Sequence, residues 1–150
     1  MNLRIPPVVV MCVFGGLMYV LHRFLPVGDF NFFGRKEMSY CFWILGAVII
    51  IISLVQFFFA KTTVDPMQPD KSNELVISGI YNYTRNPMYL GMLLFLIAFG
   101  LLLGNAFNTL LAAGFVYYMN HFQIKFEEQA LTEKFGQTYR FYLKSVRRWF

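Results

Sequence analysis

Four apolar runs alternate with polar segments along the chain, at residues 5–25, 40–60, 88–103 and 106–119. The run 40–60 has 21 residues and carries no charge. A helix rises about 1.5 Å per residue, so a helix of that length crosses a hydrocarbon core of about 30 Å. The pattern therefore predicts an all-α integral membrane protein with four transmembrane helices. A secretory signal is the alternative for the first run, but no small-residue cleavage site follows it, so we interpret it as a mature helix.

The third and fourth runs are separated by only a few residues, among them Gly104, Asn105 and Asn108, which favour a turn. We therefore expect these two runs to form an antiparallel hairpin of helices. The fourth run becomes charged after residue 119, and no Pro or Gly interrupts it before Gly136. This predicts one long helix that leaves the membrane, continues into water and ends at Gly136, a good C-terminal cap.

The last residues of the chain follow a helical period with one aromatic stripe and one basic stripe. The stripes consist of Tyr139, Tyr142, Val146 and Trp149, and of Arg140, Lys144, Arg147 and Arg148. Such a two-sided pattern is typical of an amphipathic helix that lies in the membrane interface.

Composition agrees with a membrane protein of one domain, residues 1–150. Hydrophobic residues make up 57% of the chain and charged residues only 14%, against about 25% charged in an average soluble domain. The net charge of +5 fits basic residues at a cytoplasmic membrane surface better than a nucleic-acid partner. Cys12 and Cys41 lie in apolar runs and are interpreted as small buried hydrophobic residues, and no Cys/His cluster has the spacing of a metal site.

The basic residues also predict the orientation in the bilayer. With four spans, the N-terminus, the 61–87 segment and the C-terminal tail share one side, which holds ten Lys and Arg against three on the other. Because basic residues concentrate in cytoplasmic segments, both termini should be cytoplasmic. The ten are Arg4, Lys61, Lys71, Arg85, Lys125, Lys134, Arg140, Lys144, Arg147 and Arg148, and the three are Arg23, Arg35 and Lys36.

The stretch 74–91 is a long polar-to-apolar transition rich in Gly, Tyr, Arg, Asn and Pro. Pro87 fits the first turn of the third span, where its missing N–H costs nothing. Arg85 places a permanent cation at the foot of that helix. Tyr81 and Tyr89 are amphipathic rings of the kind found at a membrane–water boundary.

The predicted hairpin places this helix foot beside residues 123–131, which carry Glu127 and Glu128. Free N–H groups at a helix start can hold a carboxylate, and Arg85 can add a bidentate contact. Tyrosine faces can stack on a flat ring or a cation, and a glutamate can accept from an ammonium or a ribose hydroxyl. Together these groups suit a zwitterionic ligand with an aromatic base.

Each feature taken alone also has an ordinary structural explanation. Arg85 and Glu127 can form a simple interfacial ion pair, and two adjacent glutamates are usually a solvated helix face. Tyrosines at this depth are usually a membrane belt.

The combination of motifs resembles the isoprenylcysteine carboxyl methyltransferase and phospholipid methyltransferase superfamily of membrane enzymes. The similarity covers residues 62–148 and rests on LVISGIYNYTRNPMYLG, followed after one hairpin by EEQALTEKFGQTYRFYLKSVRRW. The shared pattern is Gly-x-Tyr, then Arg-Asn-Pro with Tyr two residues on, a Glu-Glu pair, Phe-Gly and spaced tyrosines. The resemblance implies a cytoplasmic-side pocket for S-adenosylmethionine and methylation of a lipophilic or small acceptor.

The resemblance also implies roles for individual residues, with Arg85 and Glu127 as the catalytic candidates. Gln123 stands where the isoprenylcysteine enzymes have an Arg assigned to the acceptor, and Asn86 stands where they have a His. Because of these two departures, the acceptor stays open between an isoprenylcysteine-like carboxylate and a lipid. His121 or a glutamate would serve only an amine acceptor, which must lose a proton. The implied cofactor contacts are Asn73, Leu75, Val76, Tyr81, Asn86, Pro87, Met88, Tyr89 and Glu127.

Two other functions remain open at this point. One is a membrane reductase of the sterol-reductase type that uses a nicotinamide cofactor. The other is a non-enzymatic membrane scaffold or transporter subunit. Titration with each cofactor separates the three, because a scaffold would bind neither.

Of the two adjacent glutamates, Glu127 is predicted to be the functional one. Neighbouring helix residues point about 100° apart, so one face cannot present both equally. Glu127 shares a stripe with Gln123, whereas Glu128 follows Lys125 and His121 at helical spacing. That spacing predicts a solvated face with a weak ion pair for Glu128.

Overall fold

A computed structural model describes residues 5–25, 28–59 and 75–150, and within these ranges the protein is all-helical, as predicted. The only strand-like pairing among them is an isolated bridge between Asp29 and Asn105. The helices are α1 (Pro7–Phe24), α2 (Arg35–Phe59), α3 (Pro87–Leu103), α4 (Asn108–Tyr118), a π-helical segment (Met119–Ile124), α5 (Lys125–Phe135) and α6 (Gln137–Ser145), with a 3₁₀ turn at Gly79–Asn82.

Helices α1 and α2 are long and apolar enough to cross a membrane, judged by length and composition. Only 17% of the apolar window in α1 and 11% of that in α2 is buried inside the protein. Side chains such as Ile44 and Phe58 project outward, and water would not favour so large an exposed apolar surface. Helix α3 is also apolar but shorter, at 17 residues. Cys12 and Cys41 both lie on the exposed surface, so the prediction that they are buried is wrong.

Helix α2 packs closely on α3 because both present a glycine at the crossing. A Cβ at Gly46 would lie 2.9 Å from the carbonyl oxygen of Gly91, and a Cβ at Gly91 would lie 2.8 Å from that of Gly46. Small residues of this kind let two helix backbones approach closely in a membrane. Trp43 stacks on Phe95 beside them, with ring centroids 4.7 Å apart. This contact gives the start of α3 a rigid support.

A tight turn joins α3 to α4, as the Gly and Asn residues between the two runs predict. Gly104 ends α3 with φ of 70°, in the left-handed region that glycine adopts easily. The side chain of Asn105 then accepts from the backbone N–H of Phe107 at 3.0 Å, and α4 starts at Asn108. Phe115 of α4 is fully buried in the core that α1, α3 and α4 share. The hairpin therefore brings the end of α4 back to the level of the α3 start.

Helices α4 and α5 form one continuous helix, in which the sequence pattern did not predict the π-helical segment. Both boundary residues, Met119 and Lys125, keep helical backbone angles. Single π turns inside α-helices occur often at functional sites. Here the π-helical segment contains His121 and Gln123, two of the predicted site residues.

The aromatic stripe of the tail packs against protein, which differs from the predicted interfacial helix. Tyr139 and Tyr142 are buried in one cluster with Tyr81, and the Tyr142 hydroxyl donates to the Tyr81 carbonyl at 2.7 Å. Helix α6 ends at Ser145, and Val146 is extended. The aromatic side of the tail is therefore packed against the turn at Gly79–Asn82.

Candidate functional site

The first turn of α3 carries several predicted site residues and has no side-chain cap. Pro87 occupies the first helical turn and is buried. The preceding residue, Asn86, makes no side-chain capping bond, and its Nδ2 donates instead to the Arg148 carbonyl at 3.0 Å. The N–H groups of such a helix start carry partial positive charge, which favours an anion.

Glu127 is joined to α3 by a short hydrogen bond. The Tyr89 hydroxyl donates to Glu127 Oε1 at 2.6 Å, and Gln123 Nε2 donates to the same oxygen at 2.5 Å. Three predicted site residues from two helices therefore meet around one carboxylate. The Tyr89 ring itself lies in the buried core, so its hydroxyl, rather than a free ring face, is what it presents to the site.

Glu128, in contrast, belongs to a partly buried ion cluster, and the prediction of a solvated face is wrong. Its side chain is only 14% exposed and lies 3.2 Å from Arg85 Nη1, which is itself 11% exposed. Arg148 donates to the same carboxylate twice, from Nη2 at 2.6 Å and from Nε at 2.9 Å. The cause is the tail, which folds over this face of α5. Arg85 thus forms an ion pair with Glu128.

Arg85 has bonding capacity left in this cluster. Its Nε is buried and has no hydrogen-bond partner within the described residues. An orphaned guanidinium N–H beside an uncapped helix start is what a site for a ligand carboxylate requires. The hydrogen bond with Glu128 also raises the pKa of Arg148, which keeps that guanidinium charged.

Three of the predicted cofactor contacts lie together in the tyrosine cluster, in which Tyr81 is buried and Leu75 and Val76 are partly buried against it. The Tyr81 hydroxyl hydrogen-bonds Ser53 Oγ at 2.6 Å, which joins this cluster to α2. Burial raises the pKa of the Tyr81, Tyr139 and Tyr142 phenols, so these groups remain neutral. Asn73 lies outside the described residues.

His121 is not brought together with the other predicted residues. It is exposed, its Nδ1 pairs with the Tyr117 carbonyl at 2.9 Å, and its ring lies 4.2 Å from that of Tyr117. Gln123, two residues on, is only 2% exposed and points to Glu127. Met88 is partly exposed at the start of α3.

The sequence pattern missed the contribution of the last residues of the chain. Arg148 appeared to belong to a lipid-facing basic stripe, yet it bonds the site through both its side chain and its carbonyl oxygen. Trp149 Nε1 donates to Asn120 Oδ1 at 3.1 Å in the π-helical segment. A single basic stripe carries no signal that one of its members turns inward.

Comparison with known proteins supports the resemblance drawn from the motifs. An uncharacterized protein of Haemophilus influenzae is 48% identical over 62 residues, which are 41% of this chain and 98% of that protein. The protein-S-isoprenylcysteine O-methyltransferase of Schizosaccharomyces pombe is 31% identical over 118 residues, which are 79% of this chain and 50% of that protein. The chain thus spans about half the length of the yeast relative. No solved structure gives a significant match.

The family model for phospholipid methyltransferases matches residues 35–138. This range includes α2, α3, α4, the π-helical segment and α5, and with them Arg85, Tyr89, Gln123, Glu127 and Glu128. Because the match covers well over half of the chain, the chain belongs to the phospholipid methyltransferase family.

Proposed function

We propose that this protein is a membrane methyltransferase that uses S-adenosylmethionine and methylates a lipophilic or small acceptor. The observation that carries the proposal is the Glu127 carboxylate, held by Tyr89 and Gln123 next to the uncapped start of α3. The negative Glu127 carboxylate thereby lies beside the partial positive charge of the α3 start, as a zwitterionic ligand needs. The family membership and the methyltransferase relative in yeast support the same reading.

The residues present fit both charged groups of the cofactor's amino acid. The α3 start and the Nε of Arg85, which has no hydrogen-bond partner among the described residues, suit its carboxylate, and Glu127 suits its ammonium or the ribose hydroxyls. The remaining contacts in this proposal come from Asn73, Leu75, Val76, Tyr81, Asn86, Pro87, Met88 and Tyr89. When bound, S-adenosylmethionine supplies an electrophilic methyl group on a sulfonium.

The chain itself has to position the reactants and exclude water, which is the main help that an in-line methyl transfer needs. A carboxylate or thiolate acceptor loses no proton in the step, so neither Arg85 nor Glu127 needs to act as a base for it. An amine acceptor loses one, which His121 or a glutamate would accept in this proposal. Gln123 is the proposed acceptor-side residue, and the acceptor is isoprenylcysteine-like or lipid-like.

We further propose that α1 to α4 all span the bilayer, with both termini in the cytoplasm. The outward apolar side chains of α1 and α2 and the asymmetry of the basic residues support this arrangement. Reporter fusions after residue 150 and within 28–36 should report opposite compartments. The same compartment at both positions would contradict the four-span topology.

The proposed function is tested by calorimetric titration of the purified protein in detergent, with S-adenosylmethionine and separately with a nicotinamide cofactor. Glu127→Gln should weaken S-adenosylmethionine binding about tenfold or more, on the order of 1.4 kcal/mol. Glu133→Gln is the matched control, because Glu133 is an exposed glutamate on the same helix. Binding of the nicotinamide alone would indicate the reductase, and binding of neither would indicate a scaffold.

The acceptor is identified by a transfer assay with methyl-labelled cofactor. The panel holds prenyl-cysteine, phospholipid, thiol and amine acceptors, each presented in detergent or lipid. A labelled product from at least one lipophilic or small acceptor is expected. Cofactor binding without transfer to any of these classes would contradict the proposed reaction.

A further inference from the structure

The last residues of the chain, 146–149, lie across the start of α3 and are called the C-terminal strap below. The carbonyl oxygen of Arg147 accepts from the backbone N–H of Arg85 at 3.0 Å. The carbonyl oxygen of Arg148 accepts from Thr84 Oγ1 at 3.1 Å and from Asn86 Nδ2 at 3.0 Å. The C-terminal strap thus holds three consecutive residues before Pro87, although it lies beyond residue 138, where the match to the family model ends.

The side chains of the C-terminal strap point in different directions. Arg148 turns inward to Glu128, and Trp149 bonds Asn120. Arg147 is exposed and contributes only its carbonyl oxygen to these contacts. The two neighbouring arginines therefore share the same backbone support but differ in what their guanidinium groups touch.

The charges around Arg85 depend on Arg148. Arg85, Glu128 and Arg148 together carry two positive charges and one negative charge, so the cluster keeps a net charge of about +1. Without Arg148 the cluster would be neutral, and Glu128 would be free to bind Arg85 with both oxygens. Opposite charges held in a poorly solvated site interact strongly, so Arg85 would then attract a second anion less.

We propose that Arg148 is a positioning residue of the cofactor site, which neutralises Glu128 and so keeps the charge of Arg85 available for the ligand carboxylate. This inference rests on the proposed function, since the ligand is S-adenosylmethionine. It assigns to the C-terminal strap a part in cofactor affinity. It also gives a role to the Arg85 Nε, which is buried and has no hydrogen-bond partner in the described part of the chain.

The test measures the dissociation constant for S-adenosylmethionine in four full-length proteins: wild type, Arg148→Met, Arg147→Met and Arg148→Met combined with Glu128→Gln. We expect Arg148→Met to raise Kd about tenfold, and Arg147→Met to change it by less than about twofold. The double variant should recover most of the affinity, because removal of the Glu128 charge restores the net charge of the cluster. A merely structural role for Arg148 would not produce this recovery.

A second ligand makes the test specific for the carboxylate. Decarboxylated S-adenosylmethionine lacks the group that Arg85 would bind, so wild type and Arg148→Met should bind it with Kd values within about twofold of each other. An equal loss of affinity for both ligands, or an Arg148→Met protein indistinguishable from Arg147→Met, would overturn the inference while leaving the proposed function intact. Failure of the wild type to bind S-adenosylmethionine would overturn both.

Discussion

Substitution of Glu128 by Gln should destabilise the fold, although the sequence pattern alone assigns this residue to a solvated surface. The change removes the negative charge that lies 3.2 Å from the Arg85 guanidinium and 2.6 Å from the Arg148 guanidinium. Breaking a buried ion pair from one side costs about 3–5 kcal/mol. Since the Arg148 side chain is 36% exposed, water screens part of its attraction to Glu128. We therefore expect Glu128→Gln to lower the free energy of unfolding by about 2–3 kcal/mol. For a chain of this size that corresponds to a fall in Tm of about 4–12 °C.

The assay is thermal unfolding of the purified protein in one detergent at one protein concentration, without cofactor. Glu133→Gln is the control, because this exposed glutamate only accepts from Gln129 one turn away, and its loss should stay within about 0.5 kcal/mol. Adding Arg148→Met to Glu128→Gln should cost less than the sum of the two single changes, because one unpaired cation disappears.

Equal unfolding temperatures for Glu128→Gln and Glu133→Gln would contradict this prediction. Full additivity of the Glu128 and Arg148 substitutions would also contradict it, since independent effects would mean that the two side chains do not interact in the folded protein. Either result would place Glu128 back on the solvated face that the helical spacing predicts.

Two further predictions concern α3. Tyr89→Phe keeps the buried ring but removes the hydroxyl that donates to Glu127, so S-adenosylmethionine affinity should fall about threefold to tenfold. The control is Tyr83→Phe, at an exposed ring, which should leave the affinity unchanged. Equal dissociation constants for the two variants in the same titration would contradict this. Gly91→Ala should lower the free energy of unfolding by about 1–3 kcal/mol, because its Cβ would press on α2. A Cβ at Gly16 meets no atom within 4 Å, so Gly16→Ala should unfold at or above the wild-type temperature in the same detergent.

Local signals in the sequence were sufficient for the framework of the fold. The apolar run 88–103, with Pro87 before it and Gly104 after it, coincides with α3 to within one residue, because both ends are determined by residues that act on their own backbone. The same holds for the α3–α4 turn. Helix α2 starts at Arg35, earlier than the run 40–60, because its first polar turn contacts the end of α3, where Arg35 Nη1 donates to the Leu101 carbonyl at 2.9 Å.

The errors in the site have one physical origin, which is the docking of the tail. The spacing from His121 and Lys125 to Glu128 describes one side of a helix, and it cannot indicate that Arg148, twenty residues on, returns to cover that side. The spacing did place Gln123 and Glu127 on one stripe of a helix, and their side chains form a hydrogen bond there. Contacts within a helix are thus readable from a single sequence, whereas contacts between the tail and α5 depend on a turn at Gly136 whose direction the sequence leaves open.

Tyr81 connects the apolar helices of this protein to its polar end. Its hydroxyl bonds Ser53 on α2, and its carbonyl oxygen accepts from Tyr142 on α6. The turn that carries it lies directly on α2, since Gly79 has φ of 61° and a Cβ there would overlap the Gln56 amide. Helix α2, which is apolar enough to cross a bilayer, and the tail are therefore both attached to this turn. Tyr81 lies five residues before Asn86. Because α2 also packs on α3 at Gly46 and Gly91, this one helix contacts both the turn that carries Tyr81 and the helix that carries Tyr89.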